Sequence, residues 1–329
     1  MKPFFSGGEA AGRVLERSLP AASITRCTRL TSKPSATISA AAWLMLLLLG
    51  LLWGGSFFFA RVALQHIPPV SLAFLRFVIS ALCLHLAIAG RYGVYAVLKA
   101  RWRSFLLLGL INNAIPHTCI FLGQTQIGAG LASILNATTP IWTVLIAHAL
   151  TADEKLTGVK IAGTLTGLCG TILLFSPHIT AKADVPLWAL LLPIAAAVSY
   201  GFAAIFARRF RGIAAPVTAC GQLTASALIM LPVSLLVDRP WQLAQPPLTA
   251  IGAVLALAIV STAFAYILYF RLIATAGATN ASLVTLLVPP SAILLGILFL
   301  GESLGLVEWA GMLVIGLGLL ILDGRLVAR

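Results

Sequence analysis

The sequence predicts an all-α membrane protein: ten transmembrane helices in two inverted five-helix repeats. Composition, the spacing of apolar runs and a self-similarity between the two halves of the chain lead to that prediction. Of the 329 residues, 60% are hydrophobic and only 9% are charged, with a mean hydropathy of +1.02. A soluble domain carries roughly a quarter charged residues. So few charges cannot clothe a surface in water, so lipid must be the solvent for most of this chain.

A span needs about 20 mostly apolar residues to cross roughly 30 Å of hydrocarbon. Candidate spans fall at 41–60, 70–90, 104–124, 129–150, 160–176, 186–207, 214–237, 249–270, 278–300 and 307–323. No Lys, Arg, Asp or Glu occurs from Ser104 to Ala152, which is room for two spans with a turn between Gln124 and Gly130. Residues 1–39 differ from the rest. They are basic and rich in Ser and Thr, which predicts a disordered cytoplasmic tail or a start placed upstream of the native one. The apolar run from Ala40 follows a basic region, as in a secretory signal, but its length favours an uncleaved first span.

The net charge of +13 invites a nucleic-acid partner, but the positions of the basic residues do not. With an inside N-terminus, 18 of the 22 Lys and Arg fall in inside segments, three (Arg61, Lys182, Arg239) fall outside, and Arg76 lies within a span. That bias is the one cytoplasmic loops carry, and it places both termini in the cytoplasm. The five cysteines are odd in number and have no CxxC spacing, so they predict neither a disulfide framework nor a metal site.

Shifting the chain by 147–149 residues aligns its halves, 40–176 with 186–323. Trp53-Gly54 meets Tyr200-Gly201, Ala60-Arg61 meets Ala207-Arg208, Ala132-Ser133 meets Ala281-Ser282, and Pro140 meets Pro289. After a one-residue gap Glu154 meets Glu302, and Ala162-Gly163 meets Ala310-Gly311. Five spans per half is an odd number, so the second half enters the membrane from the opposite side. Inverted repeats give many secondary transporters two oppositely facing states around one midplane site.

Four segments then carry a resemblance: WGGSF at 53–57, PVSLAFLRF at 69–77, AGLASILNATTP at 129–140 and GESL at 301–304. Over residues 40–323 the chain resembles the EamA-type family of the drug/metabolite transporter superfamily. The resemblance implies ten spans in two five-span repeats. It also implies movement of a small metabolite or amino acid across the bacterial inner membrane, often as export, with no cofactor.

Polar groups inside the spans are the candidate substrate-binding residues. Arg76 lies six residues into the second span, where an arginine costs roughly 2.5–3.5 kcal/mol on insertion scales. It reads either as a clamp for an anion in a central cavity or as a side chain that snorkels to the interface. Asn113 and His117, spaced i and i+4, share a helix face and join it as candidates, beside a backbone loosened by Pro116. Asn136 and Thr139 before Pro140, and Thr285 before Pro289-Pro290, mark Pro-broken helices at corresponding places in the halves. Such pairs are the best sequence pointer to a transporter site, and Pro116, Pro140, Pro289 and Pro290 are the expected hinges. Trp53, Tyr200, Tyr266 and Tyr269 could line the cavity, but aromatic residues at span ends are more often interfacial anchors, and only Tyr266, well inside the eighth span, tilts towards the cavity. Glu154 and Glu302 are expected to be structural, complementing helix N-termini. Gly50/Gly54 and Gly163/Gly167 have GxxxG spacing and predict close helix packing.

An integral membrane enzyme is the competing class. None of the nine acidic residues lies deep in a span, and neither HExxH, a paired carboxylate nor a Walker A motif occurs. A channel or lipid flippase stays open, as does a homodimer. The expected partners are a small-molecule substrate and the bilayer, with no metal and no nucleic acid.

Overall fold

A computed structural model describes residues 39–152, 156–179, 185–291 and 305–322. The tail before residue 39 and both Glu154 and Glu302 lie outside the described residues, so the expectations placed on them are not addressed by it. Described residues are helical or lie in turns and short connections, without a strand among them.

The first half begins with α1 (Ala40–Ala63), whose N-terminus is capped by Ser39 Oγ, 3.2 Å from the Ala42 N–H. Helix α2 (Pro69–Ile88) starts on a proline, which gives up no N–H that the first turn needs. A tight turn with Gly90, Tyr92 and Gly93 at positive φ leads to the short α3 (Val94–Ala100). Next come α4 (Trp102–Gln124), α5 (Ala129–Asn136), α6 (Thr139–Leu150) and α7 (Gly158–Ile179). The second half runs through α8 (Leu187–Ala207), α9 (Ala215–Val237) and α10 (Leu248–Ala276). It continues with α11 (Ala278–Ser282), α12 (284–291) and α13 (Leu306–Leu322).

Seven helices among the described residues are long and apolar enough to cross a membrane, counting Leu131–Leu150 as one, and Gly158–Leu174 and Trp309–Leu322 are shorter apolar helices. The many leucines that stay exposed, such as Leu86 and Leu236, face outward from the bundle. That is the surface lipid requires.

Contacts between the halves come in matched pairs. Helix α4 packs on α8 as α10 packs on α1, and α4 packs on α9 as α10 packs on α2. Among the described residues, the most extensive pairing joins the last helix of each half, α7 and α13. There a Cβ on Gly163 would stand 2.9 Å from the Gly318 carbonyl, and one on Gly170 would stand 2.9 Å from the Gly311 carbonyl. Rising numbers on α7 therefore meet falling numbers on α13, so the two helices cross antiparallel. The glycines permit the backbones to touch, which is how helices associate without a hydrophobic drive between them.

The third helix of each half is distorted at the same place. Residues Leu110–Ala114 of α4 and Ile259–Phe264 of α10 are π-helical, and their starts lie 149 residues apart. π-Helical turns are rare and concentrate at functional sites. Both segments sit at mid-helix and carry polar residues: Asn112 and Asn113 in one, Ser261 and Thr262 in the other.

Candidate functional site

Where the halves meet, a cavity of about 60 Å³ opens between α1, α2, α4, α5, α6, α8, α10, α11 and α12. Six pairs of its lining residues are repeat-equivalent: Trp53 with Tyr200, Phe57 with Ala204, His117 with Tyr266, Ile120 with Tyr269, Asn136 with Thr285, and Thr139 with Val288. Each half contributes the same positions with different chemistry. Arg76 also lines the cavity and has no such counterpart, since Leu223 stands at its equivalent.

Arg76 is only 3% exposed and does not snorkel. Its Nε donates to Thr262 Oγ1 at 2.6 Å, and that hydroxyl in turn donates to the Leu257 carbonyl at 2.6 Å. Ser80 Oγ lies 2.5 Å from the Arg76 carbonyl and 2.7 Å from that of Ala258, binding α2 to α10 one turn away. The guanidinium carbon sits 6.0 Å from the Phe121 ring centre, within cation–π range. Thr262 is the only hydrogen-bond partner of the guanidinium among the described residues. Its two terminal amino groups are left for whatever occupies the cavity.

A network behind the cavity wall holds the aromatic side chains. Tyr266 OH donates to Asn113 Oδ1 at 2.6 Å, and Asn113 Nδ2 donates to Ser226 Oγ at 2.7 Å. Asn112 Nδ2 donates to Gln222 Oε1 at 2.8 Å, and Gln222 Nε2 returns to Asn113 Oδ1 at 3.3 Å. Pro116 offers no N–H to the Asn112 carbonyl four residues back. The Tyr266 hydroxyl lies 3.3 Å from that carbonyl. His117 Nδ1 lies 3.0 Å from the Asn113 carbonyl, which can only accept, so Nδ1 carries a proton. Tyr200 OH approaches Nε2 at 3.5 Å. Trp53 packs edge-on to Tyr266 and lies 5.3 Å from Tyr269, completing an aromatic wall.

Hydroxyls repair the broken helices. Pro140 has no N–H for the Asn136 carbonyl, and Thr139 Oγ1 donates to that oxygen at 2.6 Å. Thr138 does the same for Leu135 at 2.7 Å. In the other half Ser282 Oγ bonds the Thr279 carbonyl and Thr285 Oγ1 bonds that of Ser282. The interruption there falls at Leu283, and residues 284–291 are helical through Pro289 and Pro290. Three amide atoms in the cavity lining have no hydrogen-bond partner among the described residues: both ends of the Gln124 side chain, and Asn136 Oδ1.

Arg76, His117, Asn136, Thr139, Tyr266 and Thr285 thus line one cavity, drawn from six helices. Asn113 sits behind it, its side chain committed to Ser226, Gln222 and Tyr266, while its neighbour Asn112 reaches the lining. Trp53, Tyr200 and Tyr269 belong to the cavity too, the less common of the two places open to aromatic residues at span ends. The repeat alignment held the signal, since each matches another lining position. Gln124 sits at the end of α4, where sequence alone gives no reason to look. His85 and His148 lie in the last turns of their helices, away from the cavity.

The pattern of the EamA-like transporter family matches residues 40–176 and, a second time, residues 187–322. The chain belongs to this family. It is therefore a transporter rather than an enzyme. An uncharacterized transporter of Archaeoglobus fulgidus is 26% identical over 85% of this chain and 97% of its own length. A probable terminal-alkyne amino-acid exporter of Streptantibioticus cattleyicolor is 25% identical over 80% of this chain and 87% of its own. A solved crystal structure superposes with a TM-score of 0.70 at 22% identity, over 89% of this transporter and 99% of that chain. That likeness carries the fold.

Proposed function

We propose that this transporter exports a small carboxylate-bearing metabolite, an amino acid in the simplest case, across the bacterial inner membrane by alternating access. The proposal has ten spans in two inverted halves with both termini in the cytoplasm. Its main support is Arg76: a buried cation whose terminal amino groups have no hydrogen-bond partner among the described residues, facing a cavity walled by aromatic rings.

A carboxylate meets a guanidinium through two parallel charge-assisted hydrogen bonds. Such a ligand neutralises Arg76 within low-dielectric surroundings, and both partners gain. Gln124 and Asn136 offer unpartnered oxygens suited to an ammonium group, and Trp53, Tyr266 and Tyr269 offer apolar faces. The relative named as a probable amino-acid exporter agrees with this chemistry. The antiparallel crossing of α7 and α13, the matched packing of α4 and α10, and the π-helical segments 149 residues apart all favour halves of opposite sense. Exchanging the conformations of two such halves exposes the cavity first to one side and then to the other.

Counterflow into proteoliposomes, run with a panel of amino acids and their carboxamides, tests the reading. The free acids are expected to exchange and the carboxamides are not. Arg76→Gln should lower transport by about 30-fold or more, as expected for losing one partner of a buried charge pair. Equal transport of acid and amide, or full activity in Arg76→Gln, contradicts it.

A further inference from the structure

A second concavity lies at the basic end of the bundle, apart from the central cavity, with which it shares no lining residue. It is a groove of about 320 Å³ between the α8–α9 connection and the last turns of α10. Ile267, Phe270 and Ala274 are among its apolar lining, and Arg211, Arg271 and Tyr92 stand around it. Both arginines are exposed, and neither guanidinium has a hydrogen-bond or carboxylate partner among the described residues. Tyr92 is 59% exposed and is held there by a backbone with positive φ at residues 90, 92 and 93. Arg209 beside them is engaged differently, its guanidinium 5.0 Å from the Phe206 ring.

We propose that this groove binds the headgroup phosphate and upper acyl chain of an anionic phospholipid. The inference rests on the membrane reading of the chain and is independent of what the central cavity carries. Two unpaired arginines at a membrane interface present the charge that a phosphodiester complements, and a basic pocket between spans is a recurrent anionic-lipid site. The apolar lining separates a lipid from a soluble anion. A free phosphate would gain nothing from Ile267 and Phe270, whereas an acyl chain is at home against them. An aromatic hydroxyl at headgroup depth fits the same occupant. Helices α8, α9 and α10 all border the groove, so an occupant would bridge elements on which the second half is built.

Native mass spectrometry of the full chain in detergent, titrated with dioleoylphosphatidylglycerol or dioleoylphosphatidylcholine, tests the assignment. The wild type should bind at least one phosphatidylglycerol about 30-fold more tightly than phosphatidylcholine. Each arginine near a lipid surface contributes about fivefold, so the Arg211→Gln/Arg271→Gln pair should lower phosphatidylglycerol affinity by about 30-fold and leave phosphatidylcholine unchanged. Ala274→Trp fills the groove without altering charge and should remove the tight phosphatidylglycerol as well. A preference that survives the double substitution overturns the site. A preference that survives Ala274→Trp assigns the effect to diffuse surface charge and overturns it equally. Displacement of the lipid by millimolar inorganic phosphate would assign a soluble anion and overturn the lipid. Loss of lipid binding with counterflow intact leaves the transport reading standing, so the two fail separately.

Discussion

Arg76 Nε and Thr262 Oγ1, 186 residues apart in sequence, meet at 2.6 Å across the boundary between the two halves. Thr262 lies in the second π-helical segment, and its own hydroxyl proton goes to the Leu257 carbonyl five residues back. The distorted turn thereby orients the arginine in the cavity lining. Thr262→Val removes the acceptor, keeps the shape, and leaves a charged donor short of a partner. A hydrogen bond to a charged group contributes about 1.5–3 kcal/mol, so the substrate KM in proteoliposome counterflow should rise by about tenfold or more with the protein still folded. Thr262→Ser should restore it. A KM unmoved by Thr262→Val would make the contact incidental.

Tyr266 joins the halves a second time, through its hydroxyl on Asn113 Oδ1 at 2.6 Å. Tyr266→Phe keeps the aromatic wall and leaves Asn113 Oδ1 with the longer bond from Gln222 Nε2, at 3.3 Å. A lost hydrogen bond costs about 0.5–1.5 kcal/mol, so Tm in detergent should fall by a few degrees while substrate specificity holds. Tyr266→Ala also removes the wall and should weaken binding further. If Tyr266→Phe left Tm untouched, the network behind the cavity would not be what holds α4 against α10.

The pairing of α7 with α13 makes a packing prediction with its own control. A Cβ on Gly318 would stand 2.5 Å from the Gly167 nitrogen, whereas one on Gly316 would meet nothing within 4 Å. Overpacking of a close contact costs about 1–3 kcal/mol. Gly318→Val should therefore lower Tm and transport together, and Gly316→Val on the same helix should change neither. Equal effects from the two would locate the crossing elsewhere.

How far the sequence reaches can be judged at particular residues. Arg76, His117 and Tyr266 are legible because a polar group within an apolar run demands a reason. Asn136, Thr139 and Thr285 are legible because they flank repeat-equivalent prolines. The choice between Asn112 and Asn113 is not legible. An i, i+4 argument assumes 3.6 residues per turn, and the π-helical turn from Leu110 to Ala114 breaks that register between Asn113 and the helix before it. Trp53, Tyr200 and Tyr269 are ambiguous in the sequence for a different reason. An aromatic residue near the end of an apolar run is ordinarily an anchor, and only the packing of α1, α8 and α10 turns these three inward. The interruption at Leu283 rather than at Pro289 also escapes sequence, since the hydroxyls of Ser282 and Thr285 absorb freed carbonyls before the prolines are reached.

The account stands on the two halves having opposite sense in the membrane. Tyr92 and Trp241 occupy corresponding connections, between the second and third long helices of each half, and both are well exposed at 59% and 66%. In a cysteine-free background, single cysteines at these two positions can be labelled with a membrane-impermeant maleimide in intact cells and in inverted vesicles. Tyr92→Cys should react only from the cytoplasmic face and Trp241→Cys only from the outer face. Labelling of both from the same face would contradict the inverted architecture and, with it, alternating access around Arg76.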